Sequence, residues 1–412
     1  MKTGIRARLS VMMFLEFFIW GAWFVTLGTF LAENLQATGA QTGSVFSTQS
    51  YGAIIAPFII GLIADKYINA ERILGILHLV GAALMYQMYS AGNVGGFYPY
   101  VLVYMILYMP TLALVNSVSF NQMSNPEKEF SSIRVWGTLG WIAAGLLISY
   151  AFHWDSAEAV KAGFLKKTFI LGGVASLVLG LFSFTLPKTP PKVGRAERIK
   201  LSEIVGWDAI KLLRDKNFAV FFISSILICI PLAFYYQNAH PFLTGTGMDN
   251  PTGKMTIGQI SEVLFLLLLP VFFTRYGFKK TILAGMLAWA VRYVLFAYGN
   301  AGELSMLLIT GIALHGICYD FFFVSGQIYT DSKAGEKYKS SAQGLITLAT
   351  YGIGMLIGFE VAGALTDHYK LGENLFDWKM IWLIPAGIAA AVFILFLLLF
   401  NDRQKSKKAL NE

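Results

Sequence analysis

Of the 412 residues, 56% are hydrophobic, 15% aromatic and only 14% charged, whereas a soluble domain carries roughly a quarter charged residues; with a mean hydropathy of +0.59, composition excludes a water-soluble globule and points to an integral membrane protein. The net charge of +8 would suggest nucleic acid on a soluble chain. Here the collection of basic residues in cytoplasmic loops accounts for it, and no nucleic-acid partner is expected. The two cysteines, Cys229 and Cys318, both sit inside apolar runs, so neither a disulfide framework nor a CxxC metal pattern is expected.

Apolar runs of about 20 residues are long enough to cross a bilayer. Twelve are predicted, at 9–31, 43–64, 71–90, 97–120, 132–152, 165–186, 216–243, 256–275, 279–298, 302–327, 340–366 and 378–400. The opening "MKTGIRARLS" leads into a long span, so it reads as the start of a membrane helix rather than a cleavable signal. The longest polar connection, "PKTPPKVGRAERIKLSEIVGWDAIKLLRD", falls between spans six and seven. It divides the chain into an N-terminal six-helix half (1–186), a linker (187–215), a C-terminal six-helix half (216–400) and a basic tail (401–412). With both termini cytoplasmic, 24 of the 32 Lys and Arg lie on that side, 6 lie opposite, and 2, Arg134 and Arg292, fall within spans. The reverse topology inverts this bias, so both termini are expected in the cytoplasm.

An internal repeat is visible. "GLIADKYINAERIL" (61–74) follows span two and "PVFFTRYGFKKTIL" (270–283) follows span eight, at equivalent places in the two halves. Parallel repeats of this kind place a substrate near the midplane between the halves. Gly61, Asp65, Lys66 and Arg72 resemble the loop motif of the major facilitator superfamily, G-x-x-x-D-K/R, which serves conformational gating there. The later glycine of that motif is missing, since Ile68 follows Tyr67. The second copy keeps Gly277 but has Thr274 where the acid would stand. The alternative is a helix-capping turn with a surface ion pair.

Among the ionisable residues inside the spans, six stand out: Glu16, Arg134, Glu262, Arg292, Asp320 and Glu360. Insertion of Asp, Lys or Arg at a helix centre costs about 2.5–3.5 kcal/mol, so such residues usually face a cavity or a partner. Gln259 and Glu262 stand at i and i+3, hence on one helix face, and could hold a polar ligand group; the alternative is a hydrogen bond to a neighbouring helix. In "HGICYDFFFVSGQ", His315 and Tyr319 share a face and Asp320 points about 100° further round. Aromatic faces beside hydrogen-bonding groups suit a flat polar heterocycle. Arg134, Thr138 and Trp141 form one stripe of span five, although an arginine so near the span end could also snorkel to the interface. Glu16 is either a second proton site or a structural partner; Arg292 and Glu360 are expected to be structural or interfacial. The small residues of "GWIAAGLL" and "YGIGMLIGFEVAGAL" read as close-packing surfaces. No HExxH, GxSxG or Walker motif is present, so an enzyme is not expected.

Nearly end to end, the sequence resembles bacterial nucleoside:proton symporters of the major facilitator superfamily. The segments that carry the resemblance are "FIWGAWFVTLGTF", "YMPTLALVNSVSF", "RVWGTLGW", "GQISEVLF", "TRYGFKK", "YDFFFVSG" and "SAQG". The resemblance implies import of nucleosides by proton symport through alternating access; another small polar solute such as a sugar, or a drug/proton antiport, is the alternative. It implies a pocket at Arg134, Thr138, Trp141, Gln259, Glu262 and Asp320, with two aromatic positions that fall on His315 and Tyr319. One of these is commonly Tyr in relatives, so His315 is a departure. Span seven departs further. Ala233 and Tyr236 stand where characterised relatives present a Gln and an Asn, and Gln237 and Asn238 follow on a rotated face. The expected binding set therefore includes Tyr236 and Gln237. Asp320 is the leading proton carrier, with Glu262 as ligand or second carrier. No cofactor or metal is implied beyond the proton gradient. The expected partners are a nucleoside, a proton and the lipid bilayer, for a monomer in the bacterial inner membrane.

Overall fold

The computed structural model describes residues 2–59, 67–124, 129–191, 207–372 and 375–401. Among them, ten helical segments are long and apolar enough to cross a membrane. One of these, Pro251–Tyr298, is two helices joined at Gly277, whose φ of 76° and ψ of 172° belong to a region only glycine adopts readily. The apolar helix Gly39–Ile59 brings the total to the twelve expected. In chain order they are α1 (Thr3–Asn34), α2 (Gly39–Ile59), α3 (Ala70–Ser90), α4 (Val94–Phe120), α5 (Ser131–Ala151), α6 (Phe164–Ser183), α7 (Lys216–Gly245), α8 (251–276), α9 (278–298), α10 (Ser305–Ala334), α11 (Ser341–His368) and α12 (Trp378–Leu399).

Several helices begin a few residues before the apolar run, because their caps are polar and lie beyond the hydrocarbon. Asn93 opens α4 by accepting the Gly96 N–H at 2.8 Å, and Asp377 opens α12 by accepting that of Met380 at 3.1 Å, as short polar side chains do at N-caps. Helix α8 starts at Pro251 rather than 256, with proline at its first position, where the missing N–H would have had no partner. Of the gating motif, Gly61, Asp65 and Lys66 lie outside the described residues; Arg72 is exposed in the first turn of α3.

Two six-helix halves are built by neighbouring packing. In the first, α1 lies on α5 and α6, α2 on α4, and α3 on α4 and α6; in the second, α7 lies on α11 and α12, and the α8–α9 segment on α10 and α12. Aromatic pairs fill both interiors. Trp23 meets Tyr104 edge-on at 5.5 Å, and Tyr293 stacks on Trp382 at 5.5 Å with the rings 9° apart. Such pairs add about 0.5–1.5 kcal/mol beyond the area they bury. Along α8, Ile260, Leu264, Leu267 and Val271 are exposed, Leu267 by 72%. Their spacing places them in one stripe, which suits a lipid-facing surface and leaves Glu262 on the opposite side of the helix.

The halves meet along α2–α11, α5–α8 and the end of α1 against α7. Among the described residues, the hydrogen bonds between halves all lie at the end of the molecule remote from the termini. Thr29 Oγ1 meets His240 Nδ1 at 2.6 Å, Ser47 donates to Glu360 at 2.8 Å, Asp367 accepts from Gly39 and Ala40, and Asp155 and Ser149 accept from Thr252 and Gly253. Among the described residues the seam is bonded at that end, as in a bundle closed on that side.

Candidate functional site

On this seam lies a cavity lined among others by Phe24 from α1, Trp141 from α5, Tyr235 and Tyr236 from α7, and Thr256 and Gln259 from α8. Its lining is mostly apolar with a few placed polar groups, as small-molecule sites are. The rings come from both halves. Phe24 meets Tyr236 at 5.9 Å, 65° from parallel, and Trp141 is braced from behind by Trp20 at 5.5 Å. Gln259 is the side-chain amide in the lining.

Beside the cavity two helices are locally widened by π-turns. One spans Asp320–Val324 in α10 and the other Leu348–Gly354 in α11. Turns of this kind recur at functional sites because the extra residue re-aims the side chains around it. Here they bring Tyr319 and Tyr351 hydroxyl to hydroxyl at 2.7 Å. Asp320 is 1% exposed, and its Oδ2 has no hydrogen-bond partner among the described residues. It interacts electrostatically with Glu262. Glu262 in turn feels Arg134 across the seam, and Tyr236, Tyr319 and Tyr351 lie within its field. Arg134 rests over the ring of Phe17 at 4.1 Å. Neither acid forms an ion pair with another described residue, whereas Glu16 pairs with His78 and Asp215 with Lys333.

Not every expected residue reaches the cavity. Trp141, Tyr236 and Gln259 line it. Thr138, one turn from Arg134, is half-buried on α5, as are Glu262 and Tyr319 on their helices. Gln237 is fully buried, with its amide nitrogen donating to the Phe359 carbonyl at 3.2 Å and its oxygen accepting the Gly363 N–H at 3.3 Å. It fastens α7 to α11. Its neighbour Asn238 does the same through Thr366 at 3.2 Å. His315 is buried against Arg292, whose Nη1 stands 3.0 Å from Nδ1. A guanidinium only donates, so Nδ1 is the acceptor and the ring proton sits on Nε2. Tyr235 stacks on His315 at 5.5 Å and carries the Arg292 guanidinium over its own ring at 3.6 Å. Arg292 is thus a buried structural arginine, wholly removed from the interface.

The remaining intramembrane charges are also placed. Glu16 accepts from Thr111 at 2.6 Å and meets His78 Nε2 at 2.8 Å, while His78 Nδ1 meets Ser176 at 3.1 Å. This network lies inside the first half. Tyr108 and Trp20, in edge contact at 5.8 Å, lie between it and Trp141. Sequence reasoning did not single out Tyr351, Tyr235 or Phe24. Tyr351 heads "YGIGMLIGFEVAGAL", and a lone phenol among small residues was the available signal.

The sequence profile of the family described as "Nucleoside H+ symporter" matches residues 1–405. The chain is 41% identical to YegT of Escherichia coli (strain K12) over 409 residues, 98% of this chain and 95% of that protein. It is 33% identical to the xanthosine permease of the same organism over 420 residues, 98% of each. The crystal structure of nucleoside transporter NupG superimposes with a TM-score of 0.85 at 29% identity, covering 97% of this chain and all of that one. Twelve membrane helices in two pseudo-symmetric halves, an aromatic cavity on the seam between them and intramembrane acids beside it agree with these likenesses: the chain belongs to the nucleoside H+ symporter family of transporters, within the major facilitator superfamily.

Proposed function

We propose that the chain imports nucleosides across the bacterial inner membrane, with the base held against Trp141 and Tyr236, Gln259 hydrogen-bonding its edge, and Asp320 carrying the proton. The observation that carries this reading is the buried Asp320 oxygen without a partner, set beside Glu262 and next to an aromatic cavity shared by both halves. A buried carboxylate lacking donors is expensive, and taking up a proton removes that charge. The neutral form lets the halves rock about the occupied cavity.

Glu262 lies across the seam from Arg134, so it serves as nucleoside ligand or second carrier while Arg134 steadies the unprotonated acids. The bias of Lys and Arg supports cytoplasmic termini; the bonded end of the seam then faces outward and this is the inward-facing form. The halves take residues 1–186 and 216–400, with a cytoplasmic linker at 187–215 and a basic tail at 401–412, and the working unit is a monomer.

Uptake of several labelled nucleosides into proteoliposomes, with and without an imposed pH gradient, tests the reading. Accumulation is expected to need the gradient and to be displaced by unlabelled nucleosides. Equal accumulation without a gradient rules out proton coupling, and displacement by sugars instead of nucleosides rules out the substrate.

A further inference from the structure

The first four N–H groups of a helix have no partner within it, and the helix dipole favours a carboxylate beside them. Helix α2 satisfies its third helical N–H locally: Thr38 Oγ1 accepts from Gln41 N at 3.1 Å while the Gln41 side chain accepts from Thr38 N at 3.0 Å. Its first two are satisfied from the other half of the molecule. Asp367, at the end of α11, accepts Gly39 N–H at 2.6 Å on Oδ1 and Ala40 N–H at 2.8 Å on Oδ2. Close approach makes this possible, because Gly39 and Gly363 pack so tightly that a Cβ on either would meet the other's carbonyl oxygen.

The same device recurs at the pseudo-symmetric place. Helix α8 has no side-chain cap from its own Asn250. Its Thr252 N–H is accepted by Asp155 Oδ2 at 3.0 Å and its Gly253 N–H by Ser149 Oγ at 2.7 Å, and Ser149 donates its own proton to Asp155. Both acceptors belong to the end of α5 or the loop just after it. In each case the second helix of one half is capped by an aspartate at the end of the fifth helix of the other.

We propose that Asp155 and Asp367 are paired latches of the outer gate, each capping the opposite half's second helix, so that the gate opens by uncapping α2 and α8 together. Opening hands four backbone N–H groups to water. This rests on the alternating-access reading above. The two latches are unequal, since α2 keeps its Thr38–Gln41 cap and α8 keeps none. Both aspartates act as positioning residues, since neither lines the nucleoside cavity.

Thr256 supplies a reporter. It is buried and faces Gly145 across the seam. In a background with Cys229 and Cys318 replaced by alanine, Thr256→Cys is labelled with a membrane-impermeant maleimide from each face separately, in right-side-out and inside-out vesicles. Loss of a cap shifts an equilibrium by about 5-fold. Asp155→Ala and Asp367→Ala are each expected to raise labelling from the face remote from the termini by about that factor, and together by about 25-fold if the two contacts are independent. Asp155→Asn is expected to label like the parent, since its single acceptor oxygen suffices. Asp367→Asn is expected to fall midway, because it keeps one acceptor of two. Unchanged remote-face labelling in alanine variants that still bind nucleoside overturns the proposal, as does equal behaviour of Asn and Ala at position 155. A rise confined to the remote face, but with that face proving cytoplasmic, keeps the latches and overturns only the orientation.

Discussion

Asp320 and Trp141 divide the work of the cavity between charge and surface. Asparagine in place of Asp320 preserves shape and hydrogen bonding but takes up no proton. Asp320→Asn is therefore expected to lower gradient-driven accumulation at least about 10-fold while nucleoside exchange at equal pH persists, a contrast that loss of folding would not give; each factor of ten is about 1.4 kcal/mol. Stacking of a base on an aromatic ring is worth about 1–3 kcal/mol by alanine substitution. Trp141→Ala should thus weaken nucleoside binding by about 10–100-fold in a titration of purified protein, with Trp141→Phe recovering most of it. The intramembrane charges were legible in the sequence because each interrupts an otherwise apolar run. Which of Tyr236 and Gln237 meets the cavity was not. Neighbours on a helix differ by 100°, and α7 contains Pro231 and Pro241, each of which disturbs the helical phase. The tie between His315 and Arg292 joins different helices, so no local pattern announces it.

Twelve helices could be drawn from hydropathy alone, yet their joints follow backbone rules that hydropathy does not register. Gly277 is the plainest case. Its φ and ψ are nearly closed to other residues, at about 1–3 kcal/mol, so Gly277→Ala should lower the thermal midpoint of the detergent-solubilised protein. Alanine at Gly344, a helical position where a Cβ meets nothing within 4 Å, should not. At the head of α7, Asp215 accepts from Asn217 and Phe218 N–H at 2.9 and 3.0 Å, and from Lys333 at 2.9 Å. Partial burial is the largest single influence on its carboxyl and pushes the pKa up, but Lys333 and the two N–H groups together hold it below the ordinary value. A lowered pKa means that this contribution is present above the unfolded carboxylate value near 4 and is lost as pH falls through the folded one. Asp215→Ala should cost about 1 kcal/mol at neutral pH and less in acid. Lys333→Met should cost less than that, because the pair is solvent-exposed and screened. The π-turns at Asp320 and Tyr351 escaped the sequence reading for a related reason: the shift of phase they introduce falls in runs that are apolar on nearly every side, where no periodic pattern exists to be broken.

At the scale of the whole molecule, the repeat of "GLIADKYINAERIL" and "PVFFTRYGFKKTIL" predicted two halves, and Gly277 in the second copy is where the structure turns from α8 into α9. Which end of the seam would be bonded was not predictable from the repeat, since both ends carry small and polar residues and the choice rests on a small difference between two packings. The structure's choice has a mechanical consequence. If transport requires the bonded end to part, a covalent tie there must stop the cycle even though the cavity remains intact. Ser47 and Glu360 meet across α2 and α11 at 2.8 Å, and neither lines the cavity. Ser47→Cys with Glu360→Cys, joined by a short reducible cross-linker in the background without Cys229 and Cys318, is expected to abolish uptake. Reduction should restore it to the level of the untreated double variant. Nucleoside binding by the cross-linked protein in detergent should persist, because the opposite end of the seam carries no bond between halves among the described residues. Transport at full rate with the tie in place would mean that the halves do not separate along α2–α11, and the cargo would need another route through the bundle.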